Sequence, residues 1–482
     1  MRARPYLALI LALASLLPLG LLVVYLVAAG SERPLSWVDY LTVGLFVLAM
    51  ALAVVEEFTS LRKSKPVVLA AGLIWAAIAW SAAGDGSFHQ AEEALRRNLL
   101  QYAELMLFLL VAMTYINAMS ERRLFAFVRD WLAHQRVSYR RLFWMTGLGA
   151  FFLSPLLDNL TTALLMGAVV IALGAEHSRF TALGCINVVV AANAGGVFSP
   201  FGDITTLMVW QQNIQTPQGT VGFWSFFRLF PPALVSFLLP AVIMHFALPR
   251  GCLSPEGVPA RPLRGTWVIV ALFLATIATA VLFQGILHLP GVIGMLTGLS
   301  YLQFFGYYLK KTHRSVEPVL IDEEAMGSPV PLEGENPFDI FGRIARAEWD
   351  TLFFLYGVAM CVGGLGYLGH LGLIADFLYS HLGTTLANLG AGLLSAILEN
   401  IPAMFMVLSM NPQMPLEQWL LVTFTTGTGG SLLAIGSAAG VALMGQARGR
   451  YTFSAHLRWA PAIAIGFLGG VLTHLLLSGI GF

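Results

Sequence analysis

Charge is scarce in this sequence. Only 11% of its 482 residues are Asp, Glu, Lys or Arg, against about 25% in a soluble globular domain. That leaves too little to build a solvated surface or a basic groove, so a soluble enzyme and a nucleic-acid partner are both excluded. Cysteine is equally sparse: Cys185, Cys252 and Cys361 lie far apart and form no CxxC pair or disulfide framework. They read as small apolar residues. What dominates is the 57% hydrophobic fraction, in runs of about 20 residues that suffice to span a bilayer. No stretch remains for a sizeable water-soluble domain, and the fold class is an all-α polytopic membrane protein.

The apolar runs predict spanning helices at about 6–29, 37–58, 66–83, 102–119, 183–212, 231–248, 266–286, 291–309, 350–369, 418–446 and 459–479. The first, within an extra N-terminal segment 1–30, starts basic and ends in small residues like a signal peptide. Its apolar stretch exceeds the ~7–15 residues of a signal core, which favours a retained helix. Segments 142–175 and 385–410 each carry a polar tip and read as re-entrant hairpins. With the N-terminus cytoplasmic and the C-terminus outside, only Arg33, Arg96, Arg97 and Arg228 of the 27 basic residues fall on the outer side. The remaining 23 fall inside, a positive-inside pattern that counting either hairpin as a crossing would spoil. Segment 310–348 is polar and reads as a cytoplasmic linker.

The sequence also repeats itself. SPLLDNLTTALL (154–165) aligns with SAILENIPAMFM (395–406), pairing Ser154 with Ser395, Asp158 with Glu399 and Asn159 with Asn400. NAGGVFSPFGD (193–203) aligns with GTGGSLLAIGS (427–437), which sets Asp203 opposite Ser437. AELMLFLLVAM (103–113) resembles WDTLFFLYGVAM (349–360), with Glu104 and Asp350 one residue out of register. Because one hairpin enters from the cytoplasm and the other from outside, the two repeats, 31–250 and 251–482, are expected to be inverted. Segments 121–141 and 370–383, each just before a hairpin, look amphipathic and suit the membrane interface. Inverted repeats with discontinuous helices mark a secondary transporter, not an enzyme, with its site where the repeats meet.

The polar residues sit at the breaks. Ser154-Pro155 is expected to end one half-helix, with Asp158 or Asn159 capping the next and Thr161 and Thr162 in its first turn. Asn400 is the expected cap of the matching half-helix, with Pro402 just inside it. The helices 183–212 and 418–446 are expected to break at Asn193-Ala-Gly-Gly and Thr428-Gly-Gly. Glu104, Asp158, Asp203, Asp350 and Glu399 are then acids at or near membrane depth, and this topology gives them no Lys or Arg at that depth. Glu104 and Asp350 also suit helix starts, where the macrodipole favours an acid. Glu56 and Glu57 read as partners of the adjoining LRKSKP. The histidines His89, His245, His288, His313, His370 and His474 lie at helix ends, in loops or alone, and read as structural. A buried carboxylate either binds a cation or holds a proton. Competition between those states is the chemistry of cation/proton exchange. Small hard cations take oxygen ligands, which the carboxylates, Asn159, Asn193 and Asn400, and the hydroxyls of Thr205, Thr206 and Ser437 can supply.

The strings EEFTSLRKSKP, SPLLDNLTTALLMG, NVVVAANAGGVFSPFGDITTLMVWQ, ILENIPAMF and GSLLAIGSAAGVALMGQARG resemble the NhaD-type sodium/proton antiporters of the ion transporter superfamily, from about residue 40 to the end. The resemblance implies exchange of Na⁺, and of Li⁺, for H⁺ in a bacterial inner membrane, with no cofactor. It also implies a homodimer and an elevator-like movement of the hairpins. Its polar pattern falls on Asp158, Asn159, Asn193, Asp203, Thr205, Thr206, Asp350, Ser395, Asn400 and Ser437, with Na⁺ at Asp158, Asn159, Asp203 and Asn400. Glu104, Glu399, Thr161 and Thr162 are additional candidates. Ala434 departs from the pattern, in a stretch where more hydroxyls are expected.

Two other readings compete. In a sodium-coupled dicarboxylate symporter of the same superfamily, the hairpin helix N-termini would bind substrate carboxylates; acids at both tips oppose a dianion. Phe201-Gly202-Asp203 faintly suggests an intramembrane aspartyl protease, but Pro200 stands where that motif needs glycine.

Overall fold

The computed structural model describes residues 35–59, 61–133, 138–174, 177–249, 251, 261–312 and 340–479. The expected helix at 6–29 and most of the 310–348 segment lie outside them. Seven of the described helices are long and apolar enough to cross a membrane, and the chain is a helical, polytopic membrane protein. It departs from all-α at one small antiparallel hairpin, β1 (Gln215–Thr216) with β2 (Gly219–Thr220).

The first helices are α1 (Trp37–Val54), α2 (Ser64–Asp85), α3 (Phe88–Glu121) and α4 (Leu124–Ala133). There follow α5 (Tyr139–Leu157), α6 (Asn159–Leu173), α7 (Ser178–Gly196), α8 (Ile204–Gln211) and α9 (Phe230–His245). Next are α10 (Thr266–Gly285), α11 (Gly291–Lys311), α12 (Trp349–Tyr367) and α13 (His370–Phe377). The last are α14 (Thr384–Leu398), α15 (Asn400–Met410), α16 (Leu416–Gly429), α17 (Ala438–Gln446) and α18 (Ala460–Ser478).

The chain forms two compact units. The smaller takes the described parts of Glu104–Val128 and Pro259–Trp349, and the larger takes the rest. In the smaller, α10 and α11 approach closely because Gly298 has no side chain. A Cβ there would lie 2.1 Å from Thr276, the small-residue contact typical of membrane helix pairs. The Tyr115 hydroxyl donates to the Gly298 carbonyl at 2.7 Å and accepts from Thr276 at 2.9 Å. The end of the expected linker is not loop: Ile340–Ala345 is helical, and Arg343 is buried on Glu121 at 2.8 Å.

In the larger unit, α5, α6 and α7 pack on one another, as do α14, α15 and α16. Helix α17 lies on α6 and α8 lies on α15, while α1 packs on α2 and α9 on α18. The two triplets share local structure residue for residue. The Ser154 hydroxyl donates to the Ala192 carbonyl at 2.6 Å, and Ser395 donates to Thr426 at 2.7 Å. Pro155 does not end α5 as expected; the helix runs on to Leu157. The missing Pro155 N–H leaves the Phe151 carbonyl without its helical donor, and Gly195 packs against it, where a Cβ would fall 2.2 Å away.

Both triplets turn through the same unusual backbone. Asp158 has φ 66°, ψ 160° and Glu399 has φ 75°, ψ 153°. That region is essentially glycine's, and holding another residue there costs about 1–3 kcal/mol. The interruptions of the two broken helices also match, and each begins at the glycine doublet of the expected Asn193-Ala-Gly-Gly or Thr428-Gly-Gly stretch. Helix α7 continues through Asn193 to Gly196 and α16 through Gly429, and the chain re-enters helix after Asp203 (φ −147°, ψ 150°) and Ser437 (φ −142°, ψ 145°). A Cβ on Gly196 would sit 2.5 Å from the Gly202 carbonyl, and one on Gly430 2.5 Å from that of Gly436. The glycines are therefore needed to close each interruption.

The candidate interfacial segments contain α4 and α13. His370, at the start of α13, is not isolated: its Nε2 lies 2.8 Å from Asp39, which also accepts from the Ser36 backbone and hydroxyl.

Candidate cation site

Asp203 is the N-cap of α8 and accepts the Thr205 N–H at 3.3 Å. It is buried by the packing of α8 on α15. Asn400, the first residue of α15, does not cap its helix as expected. Its Nδ2 instead donates to both Asp203 carboxylate oxygens, at 3.1 and 2.9 Å. Among the described residues no ion pair involves Asp203.

Thr205 Oγ1 is buried beside the Asp203 carboxylate and turned toward it. Gly427 packs against both: a Cβ there would lie 2.4 Å from Val197 Cγ1, 3.4 Å from Asp203 Oδ2 and 3.6 Å from Thr205 Oγ1. Glycine is therefore what lets α16 pack this closely beside the carboxylate and the hydroxyl. Thr206 is turned away, donating to the Ser199 and Asp203 carbonyls at 2.9 and 2.7 Å.

Asn159 and Ser437 form the neutral counterpart of this group. Asn159 Nδ2 donates to Asn193 Oδ1 at 3.1 Å, and Asn193 Nδ2 donates to Ser431 Oγ at 2.8 Å and Ser437 Oγ at 3.0 Å. Ser437 caps α17 through the Gly440 N–H. By the sequence alignment Asn193 corresponds to Gly427, so an amide side chain stands in one half where the other half has none.

Several expected site residues serve neighbouring roles. Asp158, and not Asn159, caps α6: it accepts the Thr161 N–H at 2.8 Å and the Thr161 hydroxyl at 2.9 Å. Thr162 Oγ1 is buried with no hydrogen-bond partner in the same turn. Ser395 is committed to the Thr426 carbonyl. Glu104 belongs to the smaller unit, whereas the other candidates belong to the larger.

Glu399 corrects the expectation that no basic group reaches these acids. Lys63 Nζ lies 2.8 and 3.0 Å from its two carboxylate oxygens. Ser64, the next residue, donates to Asp350, and Glu56 feels the charges of Lys63, Asp350 and Glu399. Asp350 and Glu399 therefore form a second polar cluster with Lys63, and neither accepts from Asn400.

Sequence reasoning also missed Ser431, aligned with Val197, and its support. The Ser431 carbonyl follows the end of α16 and needs a donor. His456 Nε2 supplies it at 2.8 Å, and the Tyr451 hydroxyl donates to His456 Nδ1 at 2.7 Å. Burial pushes His456 down to about 4.

The family profile described as "Citrate transporter" matches residues 3–429. The Na(+)/H(+) antiporter NhaD of Alkalimonas amylolytica is 52% identical over 94% of this chain and 94% of its own length. The NhaD of Vibrio cholerae serotype O1 is 52% identical over 92% of each. Sodium/proton antiporter 1 of Arabidopsis thaliana is 28% identical over 93% of this chain and 74% of its own. By profile and by relatives alike, the chain belongs to the citrate-transporter family and to the NhaD Na(+)/H(+) antiporters.

Proposed function

We propose that this protein exchanges Na⁺, and by the same oxygen chemistry Li⁺, for H⁺, with Asp203 the carboxylate that the two ions contest. The observation that carries this reading is the buried Asp203 carboxylate, bridged by Asn400 and flanked by the Thr205 hydroxyl, without a basic partner among the described residues. A cation there completes an oxygen shell; a proton neutralises the same group when the cation leaves. The names and coverage of the NhaD relatives support the same activity.

We read α5–α6 and α14–α15 as re-entrant hairpins of two inverted repeats, 31–250 and 251–482. Supporting this are the matched turns at Asp158 and Glu399, the matched serine bonds and the matched caps at Asp203 and Ser437. The reading places a homodimer in a bacterial inner membrane, with its N-terminus cytoplasmic and its hairpins carrying the site between the two sides.

The citrate-transporter description of the matching profile favours a second reading, sodium-coupled uptake of a dicarboxylate. An anion held by hairpin helix N-termini would meet Asp158, which already caps α6, and Glu399 at the other tip. In proteoliposomes the antiporter reading requires Na⁺ to dissipate an imposed pH gradient, and the Asp203→Asn variant to fail. Sodium-dependent citrate uptake without proton movement would support the second reading instead.

A further inference from the structure

Asp158 and Glu399 occupy the same backbone turn but dispose of their charge differently. Asp158 bonds to Thr161, three residues on. The residue three past Glu399 is Pro402, which has neither an N–H nor a hydroxyl to give. Glu399 therefore makes no cap, and its carboxylate reaches instead to Lys63, 336 positions away in sequence, with both oxygens engaged. The pair is nearly buried, the side chains being 15% and 11% exposed. Lys63 also lies 4.5 Å over the Phe354 ring, a favourable place for an ammonium. The first turn is thus secured within its own helix, the second by a cation at the start of α2.

The residue after Glu399 is Asn400, which bridges the two oxygens of Asp203. Its direction is set by a residue held in a conformation that only glycine adopts freely. We propose that Lys63 is a positioning residue for the cation site: through Glu399 it fixes the second turn and so holds Asn400 on Asp203. Lys63 touches neither ion. Its loss leaves a nearly buried carboxylate unpaired and releases the turn on which Asn400 depends.

This inference rests on the Na⁺/H⁺ reading of the same site, and the test separates the two. The full chain is reconstituted in proteoliposomes, and Na⁺-driven proton movement is measured against Na⁺ concentration, with thermal unfolding of each variant in parallel. Failure of the wild type to couple Na⁺ to H⁺ overturns the functional reading. With an active wild type, Lys63→Met is expected to raise the KM for Na⁺ about tenfold or more while changing the maximal rate much less. Lys63→Arg keeps the charge and is expected to keep the KM. The double variant Lys63→Met/Glu399→Gln removes both charges; it is expected to regain thermal stability yet keep the raised KM, because the turn is still untethered. A wild-type KM in the double variant would make Lys63 a mere charge neutraliser, and a wild-type KM in Lys63→Met would remove any role at the site. Either result overturns the proposal. If Lys63→Met does not fold, the double variant and Lys63→Arg still decide it.

Discussion

The Asn400 amide lies 3.1 and 2.9 Å from the two carboxylate oxygens of Asp203, across 197 residues of sequence. This contact joins the tip of one interrupted helix pair to the N-cap of another. It occupies one edge of the carboxylate, and Thr205 and Gly427 flank another.

Crowding the carboxylate at Gly427 is expected to weaken ion binding. Gly427→Ala places a methyl group 3.4 Å from Asp203 Oδ2 and against Val197 at 2.4 Å. The KM for Na⁺ should rise about tenfold or more, and Li⁺, being smaller, should be less affected. Parallel titrations of the two ions in proteoliposomes measure this; equal KM values in variant and wild type would place the ion elsewhere.

The Asp158–Thr161 cap gives a recipe for replacing Lys63. Glu399→Asp with Pro402→Thr recreates at the second turn the side chains that close the first. Added to Lys63→Met, these substitutions are expected to recover part of the lost Na⁺ affinity. The readout is the KM of the triple variant against that of Lys63→Met alone, and no recovery would mean the two turns are not equivalent.

His456 gives a pH signature of stability separate from transport. Its Nε2–H is committed to the Ser431 carbonyl, and burial lowers its pKa from 6.5 to about 4. The unfolded chain then takes up a proton below about 6.5 that the folded chain refuses until about 4, so stability falls as pH drops through that window. The shift corresponds to roughly 3 kcal/mol in all. His456→Gln should flatten the decline between pH 6.5 and 4 seen in thermal unfolding.

Many of the helices were legible because apolar length acts over whole segments. The two turns were legible too, since SPLLDN and SAILEN put an acid before an asparagine in each. What local sequence could not give was the destination of each side chain. Asn400 was expected to cap its own helix, and only packing of α8 on α15 offers it Asp203 instead. Lys63 was assigned to a cytoplasmic loop, and no local pattern links it to a carboxylate 336 positions away. Pro402 held a clue, because it removes the cap that Asp158 enjoys and so requires a remote partner. Ser431 had a weaker one: it is the hydroxyl that directly follows the Gly429-Gly430 doublet.

The competition between Na⁺ and H⁺ for Asp203 is the central claim, and Na⁺ titrations across pH test it most directly. In proteoliposomes of the wild type, the KM for Na⁺ should rise about tenfold per pH unit below the midpoint of the carboxylate, at a constant maximal rate. Asp203→Asn should show no Na⁺-driven proton movement at any pH. A KM independent of pH, or normal exchange by Asp203→Asn, would contradict the account.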